Sequence, residues 1–206
     1  MNFDGNFIGH GHWDHAPFRD TLLSLSPADW FEHTPEAKVR GRVHAHTETL
    51  PLLFDEDFRH LNGTRRPHFK LFEPHLTPLL STFEQLFGGG YPVRIIVPRL
   101  YPRASIPAHA DGGHSLPFVH RIHMPLTTNP QVDFSVGGEM RHIGEGEIWE
   151  INNTRIHTVK NRGLSMRIHL IVDWTTDDLI AQRKARTGLE VGDTPHGKPM
   201  HESHHP

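Results

Sequence analysis

The 206-residue chain sets 21 Lys and Arg against 24 Asp and Glu, and its formal charge of −3 is spread through mixed-sign sequence. It therefore lacks the polybasic field that nucleic acid or an anionic membrane surface requires. With no cysteine it has neither disulfides nor thiolate metal sites, and nothing argues for an oxidising compartment.

One domain with a substantial core is expected at this length. The first residues, MNFDGNFIGHGHWDH, show neither the basic nor the apolar region of a targeting signal, and no run is long and apolar enough to span a bilayer. These features predict a cytoplasmic protein without membrane contact. Residues 1–90 read as an N-terminal extension in which turn-rich polar segments alternate with short apolar ones. Ser26 and Pro27 form an N-cap and first helical position ahead of ADWFEH. A second helix is predicted from Thr77 as cap and Pro78 as first residue. Its Leu79, Leu80, Phe83, Leu86 and Phe87 recur at helical spacing until Gly88, an apolar face suited to lying on a sheet.

From Tyr91 to Trp174 the texture changes to short β-branched segments punctuated by Gly, Pro and Asn. VRIIVPRL, SIPAHAD, FVHRIHMPL, VDFSVGG, EMRHIGEGEIWEI, IHTVK and SMRIHLIVDW are seven strand regions with no helix of βαβ length between them, which predicts a sandwich or barrel over residues 91–174. Residues 175–188 follow as a helix with acids at its front, Arg and Lys at its back and Gly188 as its stop. Residues 189–206 are His-rich and too poor in apolar side chains to pack, so disorder is expected there.

The chain has twenty histidines, and only position can promote a few of them to function. His109 and Asp111 lie two apart in PAHADGGH and share a face if that segment is extended. His157, in NNTRIHTVKN, completes two imidazoles and one carboxylate, the facial set that holds Fe(II) and leaves coordination positions open. Ten residues on, Arg167 opens the strand RIHLIVDW. A guanidinium buried beside a metal is costly unless it meets an anion, and the distal carboxylate of 2-oxoglutarate suits its fork. Arg121 and His123 share one face of FVHRIHMPL opposite Ile122 and Met124, so they line either a polar cavity or a solvated face.

The blocks RLYPRASIPAHAD, HRIHMPLTTNP, VGGEMRHIGEGEIWEINNTRIHTVKN and RIHLIVDW, in this order over residues 93–174, resemble the aspartyl/asparaginyl β-hydroxylase family of Fe(II)/2-oxoglutarate-dependent oxygenases. The resemblance implies a mainly β fold, a double-stranded β-helix of the jelly-roll, cupin-like kind with flanking helices. It also implies iron at His109 and His157, and 2-oxoglutarate at Arg167 with help from Arg121 and His123. Animal members carry glycine where this chain has Asp111, so the sequence is similar to bacterial members with a complete triad.

The reaction implied uses O2 and 2-oxoglutarate to hydroxylate an amino-acid C–H bond and releases succinate and CO2. The substrate class stays open between a free amino acid and Asp or Asn in a peptide or protein. Trp149 and Asn153 are candidates for the cavity mouth or for supporting the ligands, with core packing as the alternative reading. RGRVHAHTETLPLL is a candidate for closing over the barrel mouth. Two rival readings are a non-catalytic, cupin-like metal or small-molecule binding protein and a histidine-rich metal buffer. The first gives no reason to bury Arg167 and Arg121 near the ion, and the second predicts histidines clustered throughout.

Overall fold

A computed structural model describes residues 3–31, 44–54, 59–112 and 114–192. The N-terminal part contains β1 (Phe7–His12), α1 (Ala16–Leu23), α2 (Pro27–Phe31), β2 (Thr47–Phe54), β3 (Thr64–Arg65) and α3 (Phe69–Phe87). Eight strands follow: β4 (Tyr91–Leu100), β5 (Ser105–His109), β6 (His120–Thr127), β7 (Val132–Val136), β8 (Glu139–Arg141), β9 (Glu147–Ile151), β10 (His157–Asn161) and β11 (Arg167–Thr175). Helix α4 (Asp177–Thr187) ends the described part, capped by the Thr176 side chain at its start and by a left-handed Gly188 at its end.

The strands form two antiparallel sheets, a seven-stranded one in the order β1-β9-β6-β11-β4-β2-β3 and a four-stranded one in the order β5-β10-β7-β8. This is the mainly β, jelly-roll architecture expected. Each of the seven strand regions is present, and EMRHIGEGEIWEI divides into β8 and β9. Gly137 and Gly138 both have positive φ, 57° and 87°, which makes the two-residue turn between β7 and β8 compatible with the right-handed twist of the strands.

Two features of the N-terminal part depart from the sequence reading. It contributes strands as well as helices, since β1 pairs with β9, β2 with β4 and β3 with β2. Helix α3 begins at Phe69, two turns before Pro78, with Pro74 and Pro78 in its interior. Thr77 is therefore not a cap; its hydroxyl donates to the Glu73 carbonyl at 2.8 Å. An interior proline costs about 3 kcal/mol. Here the cost is outweighed because Phe69, Phe72, Leu76, Leu79 and Phe83 are all buried along one face, at roughly 1.5–3 kcal/mol per side chain.

That face packs with Phe18 and Leu22 of α1 onto the outer side of the large sheet, against Ile122, Met124, Leu170 and Val172. A second apolar layer, including Ile106, Phe134, Val136 and Val159, lies between the two sheets. The tight link from α3 to β4 requires Gly90: its φ is 99°, and a Cβ there would stand 2.0 Å from the Thr175 carbonyl oxygen. All nine residues of β11 are buried, although alternate ones are polar. Ile168, Leu170, Val172 and Trp174 face the helices, while Arg167, His169, Ile171 and Asp173 face the space between the sheets. No described helix is long and apolar enough to cross a membrane.

Candidate active site

Antiparallel pairing of β5 with β10 sets His109 opposite His157, with ring centroids 4.3 Å apart. Asp111 stands just beyond β5, its N–H donating to the Asn153 carbonyl at 3.1 Å. The Nε2 atoms of both histidines lie 3.8 Å from Asp111 Oδ1. That is too far for hydrogen bonds, yet the three ligand atoms are within 4.8 Å of one another, so one ion can reach all of them.

Both rings are oriented in the same way. His109 Nδ1 is 2.9 Å from the Pro107 carbonyl and His157 Nδ1 is 3.0 Å from the Arg155 carbonyl. A carbonyl only accepts, so each Nδ1 carries the proton and each Nε2 turns its lone pair toward Asp111. Burial pushes the His157 pKa down against the pull of Asp111, which favours the neutral imidazole a metal needs. The donor set thus fits a divalent transition metal of the two-histidine, one-carboxylate kind. Among the described residues this is the one such cluster.

The second oxygen of Asp111 accepts from Arg121 Nη1. Arg121 also grips Asp173, Nε to Oδ1 at 2.8 Å and Nη2 to Oδ2 at 3.0 Å. Asp173 Oδ2 takes a further bond from Arg94 at 3.1 Å, and Arg94 donates to Ser115 Oγ. Burial alone would lower the Arg121 pKa, but Asp111 and Asp173 hold it above the usual arginine value. Burial likewise would raise Asp173, and the two arginines hold it below the usual carboxylate range. Two buried cations and two carboxylates form a charge-balanced row running from the ligand cluster into the large sheet.

Arg167 is in the opposite situation. It is 2% exposed, pairs with no carboxylate among the described residues, and has an Nε without any hydrogen-bond partner. Its contacts are His169 Nδ1 at 2.9 Å and the Phe134 ring at 5.6 Å. Burial, with no anion to offset it, lowers its pKa to about 9. His123 is buried nearby, with both ring nitrogens unpartnered; burial and then the charges of Arg167 and Arg121 push its pKa far down.

Arg167, His123 and Arg121 face the same cavity as His109, Asp111 and His157. Ile96, Ile106, Phe134, Val159 and Ile171 give that cavity apolar walls, and Thr47 and Thr49 of β2 with His44 complete one side. Residues 61–176, a span that takes in every group named except the β2 side, match the aspartyl/asparaginyl β-hydroxylase family. The chain belongs to this family. Membership makes it an enzyme, a dioxygenase of the Fe(II)/2-oxoglutarate class.

A solved structure agrees on the fold. An oxidoreductase of the 2OG-Fe(II) oxygenase family from Burkholderia pseudomallei superposes with a TM-score of 0.52 at 15% identity, covering 79% of this chain and 90% of the other. A cupin 2 conserved barrel domain protein from Salinispora arenicola matches with a TM-score of 0.33 at 15% identity over 45% of this chain and 71% of its own. No curated protein sequence matches the chain.

Of the two weaker candidates, Asn153 touches the ligand segment: its carbonyl takes the Asp111 N–H, and its side chain donates to the Leu116 carbonyl at 3.0 Å. Trp149 does not line the cavity; its Nε1 donates to Glu147 and its ring lies under Arg141, 4.3 Å from the guanidinium carbon. Asp173, Arg94 and His169 join the site although the sequence analysis does not single them out. The signal was available, because an acid and a histidine interrupt the apolar run RIHLIVDW on the same face as Arg167. Of RGRVHAHTETLPLL, residues 40–43 lie outside the described residues, whereas its residues 47–53 belong to β2. Most of the His-rich tail, residues 193–206, also lies outside them.

Proposed function

We propose that His109, Asp111 and His157 hold Fe(II), that the cavity beside them takes 2-oxoglutarate and O2, and that the enzyme hydroxylates a C–H bond of an amino acid, free or as Asp or Asn in a peptide. The stoichiometry balances: one O2 oxidises both the substrate C–H to C–OH and 2-oxoglutarate to succinate and CO2. Residues 91–174 form the catalytic unit in this reading, with the strands and helices before it supporting the large sheet.

The observation that carries the proposal is Arg167, a buried cation without a counter-anion among the described residues, in the same cavity as a metal-ready cluster. Burying an unpaired charge is disfavoured in a protein that only folds, so the missing partner belongs to a ligand. The distal carboxylate of 2-oxoglutarate supplies it by charge-assisted bonds to the guanidinium fork.

Bound iron, with O2 as oxidant and 2-oxoglutarate as two-electron co-reductant, would supply the chemistry that attacks an unactivated C–H bond. The chain supplies placement. The two neutral imidazoles and Asp111 Oδ1 would hold the metal, and Arg121 keeps the other Asp111 oxygen occupied. His123 lines the same cavity with both ring nitrogens unpartnered and would offer one of them to the 2-oxo acid. Apolar walls from Ile106, Phe134 and Val159 keep water away from the reacting centre.

The deciding experiment measures succinate formation from 2-oxoglutarate with Fe(II), against a panel of free amino acids and Asp- and Asn-containing peptides. Succinate formation stimulated by one class, with a mass gain of one oxygen in that substrate, is the expected result. Tight metal binding without detectable 2-oxoglutarate binding would replace this reading with that of a cupin-like metal-binding protein.

A further inference from the structure

His169 is an inward-facing, polar residue of β11 to which the reaction above gives no role. It is 2% exposed and sits two residues from Arg167 on the same face of the strand. Its Nδ1 lies 2.9 Å from Arg167 Nη2. A guanidinium can only donate, so Nδ1 is the acceptor and the imidazole is neutral, with its proton on Nε2. Protonation there would bury two cations side by side, and burial followed by the charge of Arg167 accordingly pushes the His169 pKa well down.

The surroundings explain why such an acceptor matters. Arg167 is a long, flexible side chain with no carboxylate to hold it among the described residues, and Phe134 offers it only a ring face. Without a fixed contact the guanidinium must lose roughly 2 kcal/mol of rotamer freedom on meeting a ligand. A neutral acceptor removes part of that cost before binding and leaves the positive charge intact, which a carboxylate in the same place would not do.

We propose that His169 is a positioning residue for the cosubstrate site: as a neutral acceptor on Arg167 Nη2 it fixes the guanidinium plane and leaves the remaining donors to a distal carboxylate. The inference rests on the reading that Arg167 binds 2-oxoglutarate. It predicts a selective effect, felt by 2-oxo acids with a second carboxylate and not by those without one.

The test uses the full chain loaded with Fe(II) under anaerobic conditions and titrated with 2-oxoglutarate and with 2-oxobutyrate, which lacks the distal carboxylate. His169→Phe keeps a ring but removes the acceptor; His169→Asn keeps an acceptor atom at the same branch of the side chain; His169→Leu replaces the phenylalanine if that variant does not fold. Loss of one neutral-to-charged contact predicts an about 5- to 10-fold weaker 2-oxoglutarate affinity for His169→Phe and recovery to within about 2-fold for His169→Asn. Affinities for 2-oxobutyrate and for Fe(II) stay as in the wild type. In an Arg167→Ala background, His169→Phe adds nothing further.

Unchanged 2-oxoglutarate affinity in His169→Phe, with a clear loss in Arg167→Ala, overturns the role of His169 and leaves the cosubstrate reading standing. Parallel losses of 2-oxobutyrate or iron affinity also overturn it, because they mark a general packing defect. If Arg167→Ala itself binds 2-oxoglutarate normally, the reading of Arg167 fails and His169 falls with it.

Discussion

Arg121 and Asp111 share a hydrogen bond that leaves Asp111 Oδ1 to the two histidines and commits Oδ2 to the guanidinium. A carboxylate held this way presents one oxygen, not two, to an ion. Arg121 is in turn locked by its two bonds to Asp173, so the orientation of a proposed metal ligand is set from the large sheet although the histidines belong to the small one. Replacing Arg121 by Lys keeps a charge but cannot span both acids. Fe(II) affinity is expected to fall by about 10-fold, the usual cost of losing support behind a ligand. Metal titration of the purified variant checks this, and an unchanged affinity would show that Asp111 needs no such support.

Asp173→Asn removes the one carboxylate between Arg94 and Arg121. Breaking a buried pair by deleting one partner costs about 3–5 kcal/mol. The folded-state pKa of Asp173 lies below its unfolded value, so its contribution is fully present above 3.8 and is lost as the pH falls through the folded value. Urea unfolding at several pH values is therefore expected to show a constant gap between wild type and variant from neutral pH down to about 5, narrowing below 3.8.

Arg167 opposes stability and binding to one another. Its folded pKa of about 9 lies below the free value of 12.5, so at every pH below 9 the folded chain carries the full penalty of an uncompensated cation. An anionic ligand relieves that penalty. Arg167→Met is expected to raise the stability of the unliganded protein by about 1–3 kcal/mol, or several degrees in Tm. The same variant loses about 10- to 150-fold in 2-oxoglutarate affinity, through about 1.5–3 kcal/mol of charge-assisted bonding. Thermal unfolding with and without 2-oxoglutarate reads both effects. Stabilisation by the cosubstrate in the wild type and none in the variant is the expected pattern.

His157→Ala takes one donor from the ligand set and is expected to abolish iron-dependent turnover while the fold survives. Circular dichroism and a metal stoichiometry check the two halves separately. Asp111→Gly recreates the residue that animal β-hydroxylases carry at this position. It also leaves Arg121 with an unsatisfied donor, so a loss of at least about 10-fold in iron affinity is expected.

The strand region was legible because a jelly-roll announces itself locally. FVHRIHMPL and RIHLIVDW alternate polar and apolar side chains at period two, and the structure places Arg121, His123 and Arg167 on one face and Ile122, Met124 and Leu170 on the other. The start of α3 was not legible, because Thr77-Pro78 carries the local signature of a helix cap and tertiary burial of Phe69 and Phe72 overrides it. The roles of β1 and β2 depend on distant partners, β9 and β4, which no local pattern specifies. Arg121 shows the same limit inside the site: spacing puts it on one face with His123 without saying what that face meets, and that Asp173 already occupies its fork depends on the register between β6 and β11.

The two sheets divide the site between them. His109 and His157 ride on the four-stranded sheet, whereas Arg167, His123 and Arg121 ride on the seven-stranded one, across the interior from them. In the proposed reading, a 2-oxo acid held both at the His109–Asp111–His157 cluster and by Arg167 would be a cross-brace between the two walls of the sandwich. Loading the site is then expected to tighten the whole barrel as well as fill a pocket, with a response where no ligand touches. Amide exchange along β5 and β10 slows when iron and 2-oxoglutarate are both present, and each alone gives a smaller effect.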